Sequence, residues 1–472
     1  MPRGKSDPLV VLRARESRVH GEAAGQVETR PGKHPLHTRR QDTVSTPLDG
    51  IAIAAKNRPR ERFTSLAHVI TPSFLKETWQ QMNRRGASGV DRMTTVEFER
   101  ELDQHCESIV ARLKAGTYTA PPVRRVEIPK GNGKTRPLGI PTVEDRLVQR
   151  AVARILERLY EPLFLPVSFG FRPNRSAHDA LRVLRVQIIT GKVRYVFEAD
   201  IKGYFNHISH EWLRKMLELR IGDPVILRLL GKWLNAGVMI NGVRFATEEG
   251  TPQGGPVSPV LVNIYLHYVL DLWFERVCKK EFTGEAYLTR FADDFVVCFQ
   301  NEPDARRFEE ELRRRMESFS LELAEEKTRL IQFGRFARED LAKSGQKPLT
   351  FDFLGFTHIC GVDTKGKFTV VRHPSKKSVR KFLDQVHAWL ITHVHWRRRD
   401  QQRHLTQMLR GFYQYFGLYY CRSTLDWVLQ EVRKQWRRTL RRQSQRHRMY
   451  WSYLQSRSWW ELPKPSLLHP TV

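Results

Sequence analysis

Cysteine is scarce in this chain of 472 residues. Its five cysteines, Cys106, Cys278, Cys298, Cys360 and Cys421, lie far apart, with no CxxC spacing. That pattern excludes a disulfide framework and a cysteine zinc site. It reads as small apolar residues buried in a reducing compartment. No apolar run reaches transmembrane length, and no secretory hydrophobic region is present. The expectation is a soluble, cytoplasmic protein with no membrane partner. Internal repeats are absent. Acidic residues are too few to balance the basic ones: 51 Asp+Glu stand against 80 Lys+Arg, a formal charge of +29. Such an excess calls for a polyanionic partner. Residues 372–448 alone hold 19 Lys or Arg and 4 Asp or Glu, a surplus of 15 out of that 29. The length suits two or three domains with a sizeable core.

Where carboxylates do occur, three of them stand out. Asp293 and Asp294 sit between two apolar runs, Tyr287–Phe291 and Phe295–Phe299, rich in β-branched and aromatic residues. The runs read as strands joined by a tight turn. Two like charges at a buried tip repel each other, and a divalent cation with a taste for hard oxygen ligands, such as Mg²⁺, removes that cost. A solvated surface turn is the competing reading. Upstream, the apolar strand Tyr195–Ala199 ends in Asp200. Asp200, Asp293 and Asp294 would form the carboxylate set that two-metal phosphoryl or nucleotidyl transfer requires. Between them lies Thr251-Pro252-Gln253-Gly254-Gly255-Pro256, whose adjacent glycines allow close backbone approach to a ligand. An ordinary rigid proline-rich loop is the alternative.

Taken in order, these pieces resemble the reverse transcriptase/maturase proteins encoded inside bacterial group II introns, of the type lacking an endonuclease domain. The resemblance runs from about Lys56 to the C-terminus. It rests on Gly86–Asp91, Ile128–Pro141, Ser168-Phe169-Gly170-Phe171-Arg172-Pro173, the Asp200 segment and the Pro252-Gln253-Gly254 loop. The Asp293-Asp294 turn, Glu326-Lys327-Thr328, Phe353-Leu354-Gly355-Phe356 and Leu409–Phe416 complete it. The family implies an α+β right-hand polymerase fold, with fingers and palm followed by an α-helical thumb, or maturase domain. Residues 1–55, poor in aromatics and without periodicity, read as a disordered basic extension, and the layout the family implies then begins with a helical N-terminal extension over 56–118. Fingers and palm would occupy 119–356, the thumb 370–440 and a short basic DNA-binding tail 441–472. Helical spacing points the same way in two regions, Phe74–Met82 and three amphipathic stretches within 379–436.

The resemblance also implies roles. Asp200, Asp293, Asp294 and the Ile201 carbonyl would hold two Mg²⁺ ions. Lys130 and Arg136, flanking Gly131-Asn132-Gly133, would grip the dNTP triphosphate, and Gln253 would lie along the nascent base pair. Phe205 would sit beneath the sugar and exclude a 2′-OH, with Tyr204 as its neighbour in any shifted alignment. Lys327 would protonate pyrophosphate. Each has a plainer alternative: a basic β-turn, a loop glutamine, a core phenylalanine, a surface lysine. Arg397, Arg398, Arg399, Arg437, Arg438, Arg441 and Arg442, interleaved with Trp396 and Trp436, suit RNA binding through phosphate contact and stacking, against a solvated helix face. Partners would be group II intron RNA, a DNA target and primer, and dNTPs, in a bacterial cytoplasm. Other readings are a splicing cofactor with a silent polymerase, or a domesticated enzyme of DNA repair or phage defence. Two departures leave the ligand set intact: Phe291 where tyrosine is usual, and Gly255 after Pro-Gln-Gly. The oligomeric state is not legible.

Overall fold

The computed structural model describes residues 47–131, 134–240, 243–245, 249–251, 254–442 and 449–469. Most of the expected disordered extension and all of Gln253 lie outside this set. Residues 47–55 correct the expected layout. They begin helix α1 (Pro47–Asn57), whose Leu48, Ile51 and Ala55 are buried. Their spacing is helical, but the helix is only 11 residues long and Ile53 lies off the buried face, which blurs the periodic signal.

Helices α2 (Pro72–Gln81), α3 (Thr95–Arg100) and α4 (Leu102–Lys114) follow. Thr71 caps α2 by accepting from the Phe74 amide, and Thr94 with Glu97 forms a full capping box on α3. Strands β1 (Val123–Gly131) and β2 (Lys134–Ile140) make a long antiparallel hairpin. They join a second hairpin, β4 (Val238–Ile240) and β5 (Val243–Phe245), in the order β2-β1-β4-β5. Helix α5 (Val143–Tyr160) runs beneath, with Thr142 as its N-cap and 13 of its residues buried.

The central sheet has the order β6-β7-β3-β8, all antiparallel: β3 (Tyr195–Asp200), β6 (Ala286–Phe291), β7 (Asp294–Phe299) and β8 (Arg329–Gln332). Side chains alternate across a strand. Phe197, Ala199, Phe295, Val297 and Phe299 therefore enter one core, while Val196, Val296, Cys298 and Ile331 enter another. A sheet covered on both faces explains the near-continuous apolar runs in these strands. The first core is closed by α7 (His210–Glu218), α8 (Pro224–Leu234), α9 (Ser258–Leu266) with its two π-helical extensions to Cys278, and α10 (Glu302–Ser318). The second core holds α6 (Ala177–Thr190), a three-stranded sheet of β9 (Phe351–Phe353), β10 (Phe356–Val362) and β11 (Phe368–Pro374), and three long helices. With α11 (Arg335–Lys343) lying between β8 and β9, those three are α12 (Lys376–Thr392), α13 (Arg398–Phe416) and α14 (Arg422–Arg442). They bury Val379, Val386, Leu390, Leu405, Leu409, Leu425, Val428 and Val432. No described helix is long and apolar enough to cross a membrane.

The C-terminal segment is docked onto these helices. Trp460 is buried and stacks on buried Trp436, with ring centroids 4.6 Å apart at 15°. Trp451 meets Trp460 edge-on at 6.0 Å. Here the tryptophans of the expected tail serve packing. Aromatic rings of this size dominate the local burial.

Candidate active site

Asp200 is the last residue of β3 and Asp294 the first of β7, and the two stand directly opposite in the antiparallel register. Opposed residues share a face of the sheet. Ala292, in the left-handed region at φ 58°, and Asp293 make the turn from β6 into β7. Gly203, also left-handed, turns the chain after β3 into a short 3₁₀ segment, Tyr204–Asn206. Ile201 is buried and bridged to Leu323. The three aspartates are thus delivered by two strand ends and one tight turn, all belonging to one sheet.

Burial pushes the Asp294 carboxyl up to about 7, and the nearby charges of Asp200, Asp293 and Glu198 push the same way. An amide hydrogen bond from Leu354 opposes them. The Lys327 ammonium bonds to Asp200, and that bond raises the lysine's own pKa. Glu198, on the same face, pairs with Arg329 at 2.8 Å. Crowded carboxylates held by borrowed cations are the donor chemistry that suits a hard divalent ion. As the side chains stand, no group of three or more His, Cys, Asp or Glu is closed around one point among the described residues. Lys327 occupies one oxygen, Oδ2, of the Asp200 carboxylate. The donor set fits Mg²⁺.

Beneath the turn is a network that the sequence reading overlooked. Arg290 is fully buried in β6 and pairs with Asp271, equally buried, at 2.7 and 2.5 Å. Its remaining donors reach the Ala292 carbonyl at 2.9 Å, the Ser168 hydroxyl at 2.8 Å and Asn263 Oδ1 at 3.2 Å. Asn263 in turn donates to the Gly170 carbonyl at 2.6 Å. Gly170 lies so close that a Cβ there would come within 2.4 Å of the Ala292 nitrogen. The Ser168–Pro173 motif therefore supports the aspartate turn from below. The signal was present: one arginine in an apolar strand and one aspartate in the apolar stretch 264–274 each demand a buried partner.

A cleft of about 340 Å³ lies between the first hairpin and the turn after β3, lined by Arg125, Leu138 and Gly139 on one side and Phe205, Gly250 and Thr251 on the other. Phe205 is half-buried, edge-on to Phe171 at 6.5 Å. Tyr204 is buried and donates its hydroxyl to the Val262 carbonyl at 2.6 Å, so it belongs to the core. The Thr251 amide donates to the Phe205 carbonyl at 2.7 Å and ties the glycine loop to this turn. The loop's glycines meet protein. A Cβ on Gly254 would lie 2.4 Å from the Gly139 carbonyl, and one on Gly255 would lie 2.5 Å from Gln149 Oε1. The close approach expected toward a ligand is here an approach to β2 and α5.

Lys130 lies at a bulge in β1, and Arg136 faces Ile128 from β2. The side chains of both are outside the described set. Among the basic residues, Arg397, Arg399, Arg438, Arg441 and Arg442 are exposed. Arg398 covers the Trp459 ring at 5.0 Å. Arg437 covers Trp451 at 5.1 Å and donates to the Met449 carbonyl at 2.8 Å. These two spend their guanidinium groups on internal stacking.

Residues 128–358 match the reverse transcriptase (RNA-dependent DNA polymerase) family. Over that stretch the chain is similar to reverse transcriptases. The chain is 41% identical over 249 residues to the group II intron-encoded protein LtrA of Lactococcus lactis subsp. cremoris, covering 50% of this chain and 41% of that one. It is 38% identical over 233 residues to protein YkfC of Escherichia coli, covering 48% of this chain and 61% of that one. It is 52% identical over 176 residues to the mitochondrial nuclear intron maturase 2 of Arabidopsis thaliana, covering 29% and 24%. The matches span less than two thirds of these relatives' lengths. The matched stretch contains all three aspartates and the Arg290 brace. Asp271, Asn263, Ser168 and Lys327 lie inside it too.

Proposed function

We propose that the chain is an RNA-directed DNA polymerase and maturase. It binds group II intron RNA, assists splicing, and copies the RNA into DNA at an insertion site by two-metal nucleotidyl transfer. The observation that carries this reading is the convergence of Asp200, Asp293 and Asp294 at one sheet end, with Lys327 neutralising the first. Asp200, Asp293, Asp294 and the Ile201 carbonyl would hold two Mg²⁺. When bound, those ions would favour ionisation of a primer 3′-OH and neutralise charge on the α-phosphate and pyrophosphate. Lys327 keeps its proton at neutral pH, because its bond to Asp200 raises its pKa. Released from Asp200, it can donate that proton to departing pyrophosphate. The Leu354 amide and the Tyr415 hydroxyl, which bonds the Leu354 carbonyl at 2.9 Å, tie the loop before β10 to Asp294 on one side and α13 on the other. A primer gripped by that loop would be registered against the aspartates. Sequencing the RNA that co-purifies with the protein, and testing whether the protein extends a DNA primer on it with Mg²⁺, examines the reading directly. Extension without bound intron RNA would instead favour a domesticated polymerase.

Phe205 is assigned to sugar discrimination because its half-exposed ring borders the cleft that Tyr204 turns away from. Phe205→Ala is expected to reduce selection of dNTPs over rNTPs about tenfold or more. Competitive incorporation assays read this ratio. An unchanged ratio would assign Phe205 to packing alone.

Intron RNA is assigned to the exposed basic residues of α13 and α14. Replacing Arg397, Arg398 and Arg399 by glutamine is expected to lower the slope of log K against log salt by about 1.5–2, not by the value for three contacts, because Arg398 is occupied by Trp459. Splicing at low Mg²⁺ should weaken more than extension on a short primer-template. An unaltered salt slope would make the run a solubilising surface.

A further inference from the structure

Far along the chain from the aspartates, a pocket of about 550 Å³ opens between the middle of α14 and the segment that packs on it. No strand of the catalytic sheet contributes to its wall. Its size falls among small-ligand clefts, roughly 300–1,000 Å³. Trp427 stands on the solvent side of α14, 51% exposed, while Leu425, Val428, Leu429 and Val432 occupy the buried side. Packing does not require a tryptophan there, and alanine or lysine would serve the helix better. Trp460 supplies an apolar floor, fixed by its stack on Trp436. Trp451 forms another wall, steadied by the Arg437 guanidinium.

The polar lining has both signs. Arg433 enters the pocket, and its buried Nε has no hydrogen-bond partner among the described residues. Gln430, Gln455 and Glu461 add donors and acceptors. Lys434 is already held by Glu431 at 2.7 Å. A site for a bare phosphate has no use for tryptophan, and Glu461 would repel it. A lipid chain or an apolar peptide has no use for an arginine in the wall. Flat aromatic walls with mixed donors and acceptors at the rim suit a planar heterocycle with a polar edge.

We propose that this pocket receives one unstacked nucleobase of bound RNA, stacked on Trp427, with Arg433 on its edge or adjoining phosphate. The inference rests on the RNA-binding reading above and adds a site to it. It predicts that the protein distinguishes a bulged base from an empty bulge on an otherwise identical helix.

The test uses the full chain and two RNA hairpins, one with a single bulged adenosine and one with an abasic residue at the same place. Wild-type protein is expected to bind the first about tenfold more tightly. W427A should erase the difference by weakening only the adenosine hairpin, and R433Q should reduce it. W427F should keep most of it. Primer extension on a bulge-free template should stay unchanged in all three, which separates loss of the pocket from loss of the fold. Equal binding of the two hairpins by wild-type protein, or a preference that survives W427A, overturns the pocket. Failure to bind either hairpin overturns the RNA-binding reading itself.

Discussion

Asp294→Asn is expected to lower primer extension on the order of 10³-fold, the scale on which losing one stabiliser of transition-state charge acts. Binding of RNA to the exposed arginines of α13 and α14 should change little, because those residues lie outside the catalytic sheet. The same variant tests the electrostatics. The Asp294 carboxyl is pushed up to about 7, well above its ordinary value of 3.8. A carboxyl raised by folding contributes stability at low pH, and loses it as pH rises through its folded pKa. The metal-free protein should therefore lose melting temperature as pH rises from about 4 through 7. Added Mg²⁺ should restore stability mainly above 7, where the proton no longer competes. In Asp294→Asn both the pH slope and the Mg²⁺ response should shrink. Thermal melts across pH, with and without Mg²⁺, make the measurement. Full extension by this variant would remove Asp294 from the site.

The second large effect is on stability. Arg290→Met leaves Asp271 ionisable, fully buried and without its countercharge, and unties the Ala292 carbonyl, the Ser168 hydroxyl and Asn263. Breaking a buried ion pair from one side costs about 3–5 kcal/mol. Arg290→Met combined with Asp271→Leu should recover much of that cost, because the stranded charge is gone. The double variant should remain slow in extension, since the Ala292 carbonyl in the turn then loses its hydrogen bond from Arg290. Denaturant unfolding and steady-state kinetics on the same preparations separate the two consequences. A double variant with normal turnover would show that the turn keeps its shape without the brace.

The contrast between these two predictions marks what could be read from the chain alone. Asp294 was legible because its signal is local: two apolar strand-like runs broken by a pair of like charges. Asp200 was legible for the same reason, at the end of a single run. The amphipathic spacing of Val379, Val386 and Leu390, or of Leu425, Val428 and Val432, likewise depends only on neighbours in sequence. Arg290 and Asp271 each stand alone among apolar residues and were passed over, because their pairing joins α9's extension to β6 across the fold. Glycine positions announced close approach and were read as facing a ligand, whereas Gly254 faces the Gly139 carbonyl. Basic runs announced charge without its use, so Arg398 and Arg437 could not be told from their exposed neighbours until Trp459 and Trp451 were seen beneath them. Helix α1 went unread because it is short and Ile53 lies off its buried face.

The central sheet has two cores, and that has a consequence for where this protein can be divided. The stretch shared with the reverse transcriptase family ends at residue 358, in the middle of β10. A fragment cut there would split β10 and lose β11 and the three long helices, which share one core with Val196, Val296, Cys298 and Ile331. Apolar surface that those elements bury would then face water, a source of aggregation. The matched stretch and the packed core are therefore different lengths of the same chain. A fragment meant to keep the second core whole must run at least through Leu462.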